Sequence, residues 1–266
     1  MLKSIIALAA FLAVASGADL KKQPALRLRG GVDASQVAHG ALALSGINAG
    51  MMALSPSKAG DVYEVELSDT DGLIIKYMGG MMLSNVIAVY YAMGGTGATT
   101  ALGYGMIPAL IQQIQGALND DQAKFGQTGP IKYLNLVISS VVAYTLLQGG
   151  PLDQTLTAKV YAGWSTINGV GMYFASGKMV EAWGADSKSV NPLFLKTMGV
   201  FITITAATFW LLATGEDAVK TLGLTTAIML TTMIDSNFIT ADALGSKNMQ
   251  YFWMLINAAV CYFTLA

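Results

Sequence analysis

From residue 37 onward the chain alternates long apolar stretches with short breaks that contain Gly, Pro, Asp or Asn. Each stretch approaches the roughly 20 residues that a membrane-spanning helix needs. In a lipid environment only a helix closes its backbone hydrogen bonds within one segment, so the stretches predict helices rather than strands. Eight such segments follow one another, at residues 37–54, 73–93, 99–118, 131–149, 158–176, 193–213, 218–239 and 249–266.

The same order of residues occurs twice, at a constant spacing of 120 positions. Residues 45–115 and 165–235 share 15 identities in 71 positions, and Asn48 coincides with Asn168. A shared apolar character alone does not align Asn, Lys and Gly in one register. We interpret the pattern as a tandem duplication. After a two-residue deletion the match resumes at a spacing of 118, with the pairs Tyr133/Tyr251, Ile138/Ile256, Val142/Val260, Tyr144/Tyr262 and Leu147/Leu265.

The duplication predicts an all-α polytopic membrane protein with eight transmembrane helices, arranged as two four-helix repeats at residues 36–150 and 151–266. Because each repeat has an even number of helices, the two repeats are parallel rather than inverted. The lysines favour one orientation, since connections predicted to face the cytosol carry most of them. That side holds Lys58, Lys76, Lys124, Lys132, Lys178, Lys188, Lys196 and Lys247, and the other side holds Lys159 and Lys220.

Composition favours the same class of protein. The chain is 54% hydrophobic and 12% charged, whereas soluble domains carry about 25% charged residues. A net charge of -1 gives no basis for a nucleic-acid partner, so the predicted surroundings are the lipid bilayer. The chain has one cysteine, Cys261, and one histidine, His39. An intrachain disulfide is therefore excluded, and neither a metal nor another cofactor is predicted.

The N-terminal residues predict targeting to a membrane. Residues 1–17 combine a basic start, an apolar core and small residues at the end, which is the pattern of a signal peptide. The apolar core is too short to span about 30 Å of hydrocarbon. Residues 18–35 form a polar basic tail, either a solvated tail or part of the two-part presequence of algae with secondary plastids. The expected location is an endomembrane or the plasma membrane, or alternatively a plastid membrane of such an alga.

The connection after the first apolar segment is also repeated. It contains Pro56 and Lys58 and then Tyr63 in a Tyr-Glu-Val triplet, and Trp183 stands at the corresponding place in the second copy. An aromatic residue among charges predicts a short helix at the membrane boundary. Together with the small-residue-rich segment that follows, each half resembles small four-helix membrane proteins of the DoxX-like type. The resemblance implies a four-helix membrane fold for each half and no particular activity.

Asn48 and Asn168 occupy equivalent places in the middle of apolar segments. An amide within the membrane needs a partner, and interhelical hydrogen bonds there contribute about 0.6–2 kcal/mol. Both residues could therefore hold neighbouring helices together, with Gly46 and Gly50 permitting a close approach. The alternative is a polar binding site on the pseudo-twofold axis between the repeats.

The third segment is the most irregular. It contains Gly103, Gly105 and Pro108, followed by Gln112 and Gln115. Proline removes a helical hydrogen bond and predicts a kink. A helix broken at membrane depth can bind a ligand through freed backbone groups, whereas the alternative is a kink that serves packing.

Asp235 corresponds to Gln115 in the second copy. A carboxylate inside the membrane is a candidate functional group, but at the membrane boundary it would be an ordinary solvated or capping residue.

No motif of a hydrolase, a metalloprotease, a nucleotide-binding loop or a dinucleotide-binding enzyme occurs in the sequence. We therefore predict no enzyme and no catalytic residue. The predicted function is a carrier of a small solute, with substrate-binding residues Asn48, Asn168, Gln112, Gln115 and Asp235 between the repeats. The alternative is a non-catalytic scaffold or accessory subunit whose partners are membrane proteins or a second copy of the chain. A cavity between the repeats would distinguish the carrier from a closed scaffold.

Overall fold

The computed structural model describes residues 33–127, 130–186 and 190–265. The predicted signal peptide and nearly all of the predicted basic tail lie outside these residues. All regular structure in the described ranges is helical, which confirms the all-α fold. The α-helices are α1 Ala34–Leu54, α2 Pro56–Tyr63, α3 Asp69–Met93, α4 Ala98–Leu118, α5 Leu134–Gln148, α6 Gln154–Ala182, α7 Pro192–Ala213, α8 Ala218–Ile234 and α9 Lys247–Leu265.

Short irregular turns complete the helical structure. Two 3₁₀ turns, Asp121–Phe125 and Pro130–Tyr133, connect α4 to α5, and a π-helical turn at Asp235–Ile239 extends α8. The helices α1 and α3 are antiparallel, because the start of α1 contacts the end of α3 through His39 and Tyr90. We call α1 to α5 the first half of the molecule and α6 to α9 the second half.

Four helices are long and apolar enough to cross a membrane: α1, α3, α7, and α8 together with its π-helical turn. The chain is therefore consistent with a membrane protein, but the described residues contain four candidate spans rather than the eight that the sequence predicts. α5 has only 15 residues, and α6 is interrupted at Ala175. α4 contains three glutamines and α9 begins at Lys247, and such polar residues lower the apolarity of a segment.

The first helix of each half begins with the same cap. Asp33 accepts a hydrogen bond from the backbone N–H of Gln36 at 2.7 Å, and Asp153 accepts one from the N–H of Leu156 at 2.6 Å. Such a cap satisfies one of the free N–H groups of the first turn and stabilises a helix by about 1 kcal/mol. The two aspartates are 120 residues apart, like the pairs in the sequence repeat.

The first helix of each half also breaks at the same place. Ser55 separates α1 from α2 with φ −144° and ψ 67°, and Ala175 interrupts α6 with φ −146° and ψ 46°. After each break, a residue in the left-handed region ends the helical run. This residue is Glu64 in the first half and Gly184 in the second. The pair α1–α2 and the single kinked helix α6 therefore have the same shape.

Glycines bring the first two long helices of each half into close contact. A Cβ on Gly79 of α3 would collide with the backbone of Ala49 and Ala53 in α1. A Cβ on Gly199 of α7 would lie 2.7 Å from the backbone N of Tyr173 in α6. The helices therefore approach each other as closely as their backbones allow, as in membrane helix pairs with small residues at the contact.

The two halves face each other across α3 and α7. Asn85 donates a hydrogen bond from Nδ2 to Oγ1 of Thr205 at 3.1 Å, and these residues are 120 positions apart. A contact between equivalent positions lies on the axis of a twofold relation. Hydrogen bonds also join connecting segments of one half to residues of the other. Ser246 N donates to the carbonyl of Tyr63 at 3.0 Å, and Gln127 Nε2 donates to the carbonyl of Trp183 at 2.7 Å.

The apolar core has two main parts, one at each end of the bundle. The part near the start of α1 is built around Leu102, Leu146 and Phe209. The part near the end of α1 is built around Ile74, Met172 and Phe194. Each part draws on both halves, so burial of apolar surface holds the halves together.

Candidate functional site

A cavity of about 250 Å³ lies between the two halves. We call it the first cavity. Asn48, Tyr63 and Asn85 line it from the first half, and Trp253 and Asn257 line it from α9. Much of the remaining lining is apolar and rich in methionine, including Met52, Met78, Met82, Met229, Met233, Ile75, Val86 and Phe201.

A second cavity of about 190 Å³ lies on the other side of the interface between the halves. Asn168 and Trp183 line it from α6, and Tyr77, Gln113 and Ser139 line it from the first half. Its apolar lining includes Ile74, Met81, Met172, Leu195, Met198 and Ile202.

The two cavities are built from equivalent residues with the roles of the halves exchanged. Most of these pairs are 120 residues apart, like the pairs in the first part of the sequence repeat. The pairs that include a residue of α9 are 118 residues apart, like the pairs after the two-residue deletion. The corresponding residues of the first and second cavities are Ser45/Ser165, Asn48/Asn168, Met52/Met172, Tyr63/Trp183, Met78/Met198, Phe194/Ile74, Phe201/Met81, Trp253/Asn135 and Asn257/Ser139. The arrangement of helices therefore produces two related cavities rather than one.

An aromatic side chain holds the asparagine of each cavity. The Tyr63 hydroxyl donates to Asn48 Oδ1 at 3.0 Å, and Trp183 Nε1 donates to Asn168 Oδ1 at 3.1 Å. Asn168 Nδ2 also donates to the carbonyl of Trp164 at 2.7 Å. Both asparagines are buried and line a cavity. Their hydrogen bonds join each helix to the segment that follows its break and not to a neighbouring long helix. Binding of a ligand at these residues stays a prediction.

Tyr63 remains a hydrogen-bond donor over a wide pH range. Burial raises the pKa of its hydroxyl, although the nearby Asn48 and Trp253 side chains partly oppose the rise. The indole N–H of Trp253 lies near this hydroxyl, but its geometry closes no hydrogen bond in the described structure. The indole N–H is therefore a buried donor beside the Tyr63 hydroxyl.

Each cavity also has a buried carbonyl oxygen that makes no hydrogen bond within the described ranges. In the first cavity this is Asn85 Oδ1, and in the second it is Gln113 Oε1. The amide nitrogens of both residues are already engaged, with Thr205 and Ser139 respectively. A buried acceptor without a partner costs about 1–3 kcal/mol, so each cavity wall contains a polar group that is not satisfied within the described ranges.

Charges at the cavities are paired. Lys196 and Asp242 line the first cavity and form an ion pair with Nζ to Oδ2 at 2.7 Å. Burial alone would raise the pKa of Asp242, but hydrogen bonds from Lys196 and Thr240 outweigh it and lower the pKa below its usual value. Lys132 lines the second cavity and pairs with Asp120 at 2.7 Å. Neither cavity therefore presents an unpaired charge from these residues to a ligand.

Asp235 lies beside the first cavity but not in its wall. Its Oδ2 accepts a hydrogen bond from the Tyr173 hydroxyl at 2.6 Å and lies 3.7 Å from Lys196 Nζ. The carboxylate begins the π-helical turn after α8. Asp235 therefore belongs to an ionic cluster with Lys196 and Asp242 at the end of the bundle.

The predicted glutamines lie away from both cavities. Gln112 is buried against Gly80 and donates from Nε2 to the carbonyl of Lys76 at 2.8 Å. Gln115 is exposed on the outer surface of α4. Of the five candidate binding residues, the structure thus brings only Asn48 and Asn168 to cavity walls, each in a different cavity.

The predicted irregular helix is continuous. α4 runs from Ala98 to Leu118 with Pro108 inside it. Gly103 lies against the side chain of Leu147, and Gly105 lies against the backbone of Ser84 in α3. These two glycines therefore allow close helix packing, and α4 offers no broken segment for a ligand.

Sequence reasoning missed several residues that form the site. The sequence predicts Tyr63 and Trp183 at the membrane boundary, but both turn inward to the asparagines. The signal that could have found them is their spacing, since each follows its asparagine by 15 residues. Asn85 carries no comparable signal, because its importance depends on contact with Thr205 in the other half.

Comparison of the chain with models of known families, with curated proteins and with solved structures finds no match. Within the described ranges, no group of three or more His, Cys, Asp or Glu side chains could hold a metal ion. The chemistry of the cavities is therefore the basis for a functional interpretation.

Proposed function

We propose that the protein is a membrane carrier of a small uncharged solute, with binding sites between two duplicated halves. One observation carries the proposal: two cavities, related by the spacing of the sequence repeat, lie at the interface of the halves. Sites at a repeat interface are typical of carriers built from internal repeats. The hydrogen bonds of Asn48 and Asn168 and the matching helix breaks support the duplication.

The lining supports a neutral and mostly apolar solute. Apolar side chains form most of the lining of the first cavity. In such a cavity a small number of polar groups can fix the orientation of a ligand. The charged residues in its wall, Lys196 and Asp242, form an ion pair. An unpaired ion in such a cavity would lose its hydration without gaining a counter-charge.

The scaffold alternative predicts a closed interior. A protein that serves only as a packing partner gains stability from filling such spaces, because each cavity removes van der Waals contacts from its lining. Cavities of about 250 and 190 Å³ at equivalent places favour the carrier.

Cysteine accessibility tests the proposal in native membranes. Single cysteines are placed at Asn48 and Asn168 in a Cys261→Ser background and treated with a charged, membrane-impermeant thiol reagent. Gln115→Cys is the exposed control, and Ala88→Cys, at a position with 0% exposure, is the buried control. We expect labelling at both cavity positions at rates well above that of Ala88→Cys. Protection equal to that of Ala88→Cys at both positions would contradict the carrier and leave the scaffold.

A further inference from the structure

The first cavity is elongated and parallel to the helices. Four residues on one face of α1, Leu42, Ser45, Asn48 and Met52, all line it. From Leu42 to Met52 the helix rises by ten steps, and at 1.5 Å per step this corresponds to about 15 Å. The cavity therefore has the shape of a slot rather than of a compact pocket.

The chemistry of this slot changes from one end to the other. At the end near the start of α1, the lining includes Leu42, Val89 and Leu222. The opposite end includes Lys196 and Asp242. The charged residues of the lining are therefore confined to one end of the slot, as the head group is in an amphiphile.

Two threonines of the lining do not interrupt its apolar character. The Thr208 hydroxyl donates to the carbonyl of Ile204 at 3.0 Å, and the Thr225 hydroxyl donates to that of Thr221 at 2.9 Å. Because both hydroxyls already donate to backbone carbonyls of their own helices, they need no hydrogen bond from a ligand. Asn85 Oδ1, an acceptor, and Trp253 Nε1, a donor, are buried polar atoms of lining residues and make no hydrogen bond within the described ranges.

The polar end disfavours an anionic head group. Lys196 already has two carboxylate neighbours, Asp242 at 2.7 Å and Asp235 at 3.7 Å. One positive and two negative side chains give this cluster a formal charge of −1. A third carboxylate placed here would be repelled, whereas a hydroxyl can both donate and accept hydrogen bonds.

We propose that the first cavity binds an uncharged single-chain amphiphile with a hydroxyl head group, its tail directed toward Leu42 and Val89. This inference rests on the proposed function and specifies the class of solute. The head group would lie toward Lys196 and Asp242, where an alcohol is accepted and a fatty acid is rejected.

Tryptophan quenching by a brominated alcohol tests the inference on the full chain in lipid nanodiscs. Trp253 is kept as the single tryptophan by replacing Trp164 and Trp210 with Phe and Trp183 with Tyr, the residue that donates to the asparagine in the first half. The probe is a long-chain primary alcohol that carries bromine on its chain close to the hydroxyl, because Trp253 lies near Tyr63 and not near Leu42 or Val89. The comparison probe is the fatty acid with the same chain length and the same bromine position. A variant that keeps only Trp210, which lies outside both cavities, measures quenching through the lipid.

We expect saturable quenching of Trp253 by the bromoalcohol, which the unbrominated alcohol reverses. Binding of the bromoacid should be at least tenfold weaker. Ser45→Phe fills the first cavity and should abolish the saturable quenching, whereas the matched change Ser165→Phe fills the second cavity and should leave it unchanged. Circular dichroism of each variant verifies that the helices are retained.

Three results would overturn the inference: equal binding of acid and alcohol, quenching of Trp253 no different from that of Trp210, or unchanged quenching in Ser45→Phe. The cysteine test separates this failure from that of the carrier. Labelling at Asn48 and Asn168 without alcohol binding would retain a carrier but reject this class of solute.

Discussion

At the residue scale, the two asparagine–aromatic pairs show which features of the halves are kept and which change. Tyr63 supplies an O–H group to Asn48, and Trp183 supplies an N–H group to Asn168. The donor atom differs, but the acceptor is an asparagine Oδ1 in both pairs and follows the same spacing of 15 residues. The hydrogen-bond lengths, 3.0 and 3.1 Å, are nearly equal. The requirement at this place is therefore a rigid aromatic donor and not a particular amino acid.

We expect Tyr63→Phe to destabilise the protein by about 1–3 kcal/mol, because it leaves the buried Asn48 Oδ1 without its donor. Thermal unfolding in detergent measures the change. Tyr144→Phe is the matched control, since Tyr144 is 62% exposed. Equal unfolding temperatures for the two variants would show that the Asn48 hydrogen bond contributes nothing to stability.

At the element scale, the sequence predicts the positions of the long helices well and their ends less well. Apolar stretches locate all eight long helices in the described ranges. The predicted segment 158–176 is part of α6, which does not end there. After the interruption at Ala175 the helix resumes and ends at Ala182. In the first half Pro56 follows the break and signals it, whereas the second half has Ser176 there and carries no such signal. The sequence predicts eight membrane spans, whereas four helices of the described ranges are long and apolar enough to be candidates. The difference has another cause, because polar residues inside a helix lower its hydropathy without ending the helix.

The helix contacts give a direct test of packing between α1 and α3. Gly79→Ala should destabilise the protein by about 1–3 kcal/mol, because the added methyl group meets the backbone of Ala49 and Ala53. Gly50→Ala, with nothing within 4 Å of the new methyl group, should be neutral or stabilising by up to about 1 kcal/mol. Chemical unfolding monitored by circular dichroism compares the two. A Gly79→Ala variant as stable as Gly50→Ala would contradict the close approach of these helices.

At the scale of the whole molecule, the cavities could not be predicted from the sequence. The repeat indicates that Asn48 and Asn168 are equivalent, and it led to the expectation of one shared polar site on the axis. The structure instead places them in separate cavities, and Asn85 and Thr205 meet across the interface. Apolar periodicity identifies each helix but does not specify which face meets the other half, so an interface between distant segments remains undetermined.

The contact across the interface can be tested by crosslinking. In a Cys261→Ser background, Asn85→Cys combined with Thr205→Cys should react with a short bifunctional thiol reagent within one chain. The physical reason is the 3.1 Å separation between the native side-chain atoms. Intact mass spectrometry should show one added linker and no free thiol. The control pair, Asn85→Cys with Gln115→Cys, should give two separate additions, and the same result for the first pair would refute the interface.

Under the proposed duplication, the hydrogen bond between Asn85 and Thr205 has an evolutionary consequence. In a symmetric dimer of identical subunits, a residue on the axis meets a copy of itself, so every mutation there acts twice. We infer that joining two such subunits into one polypeptide removed this restriction. An amide could then face a hydroxyl at the axis, and each cavity could acquire its own ligand preference while the other retained its ancestral one.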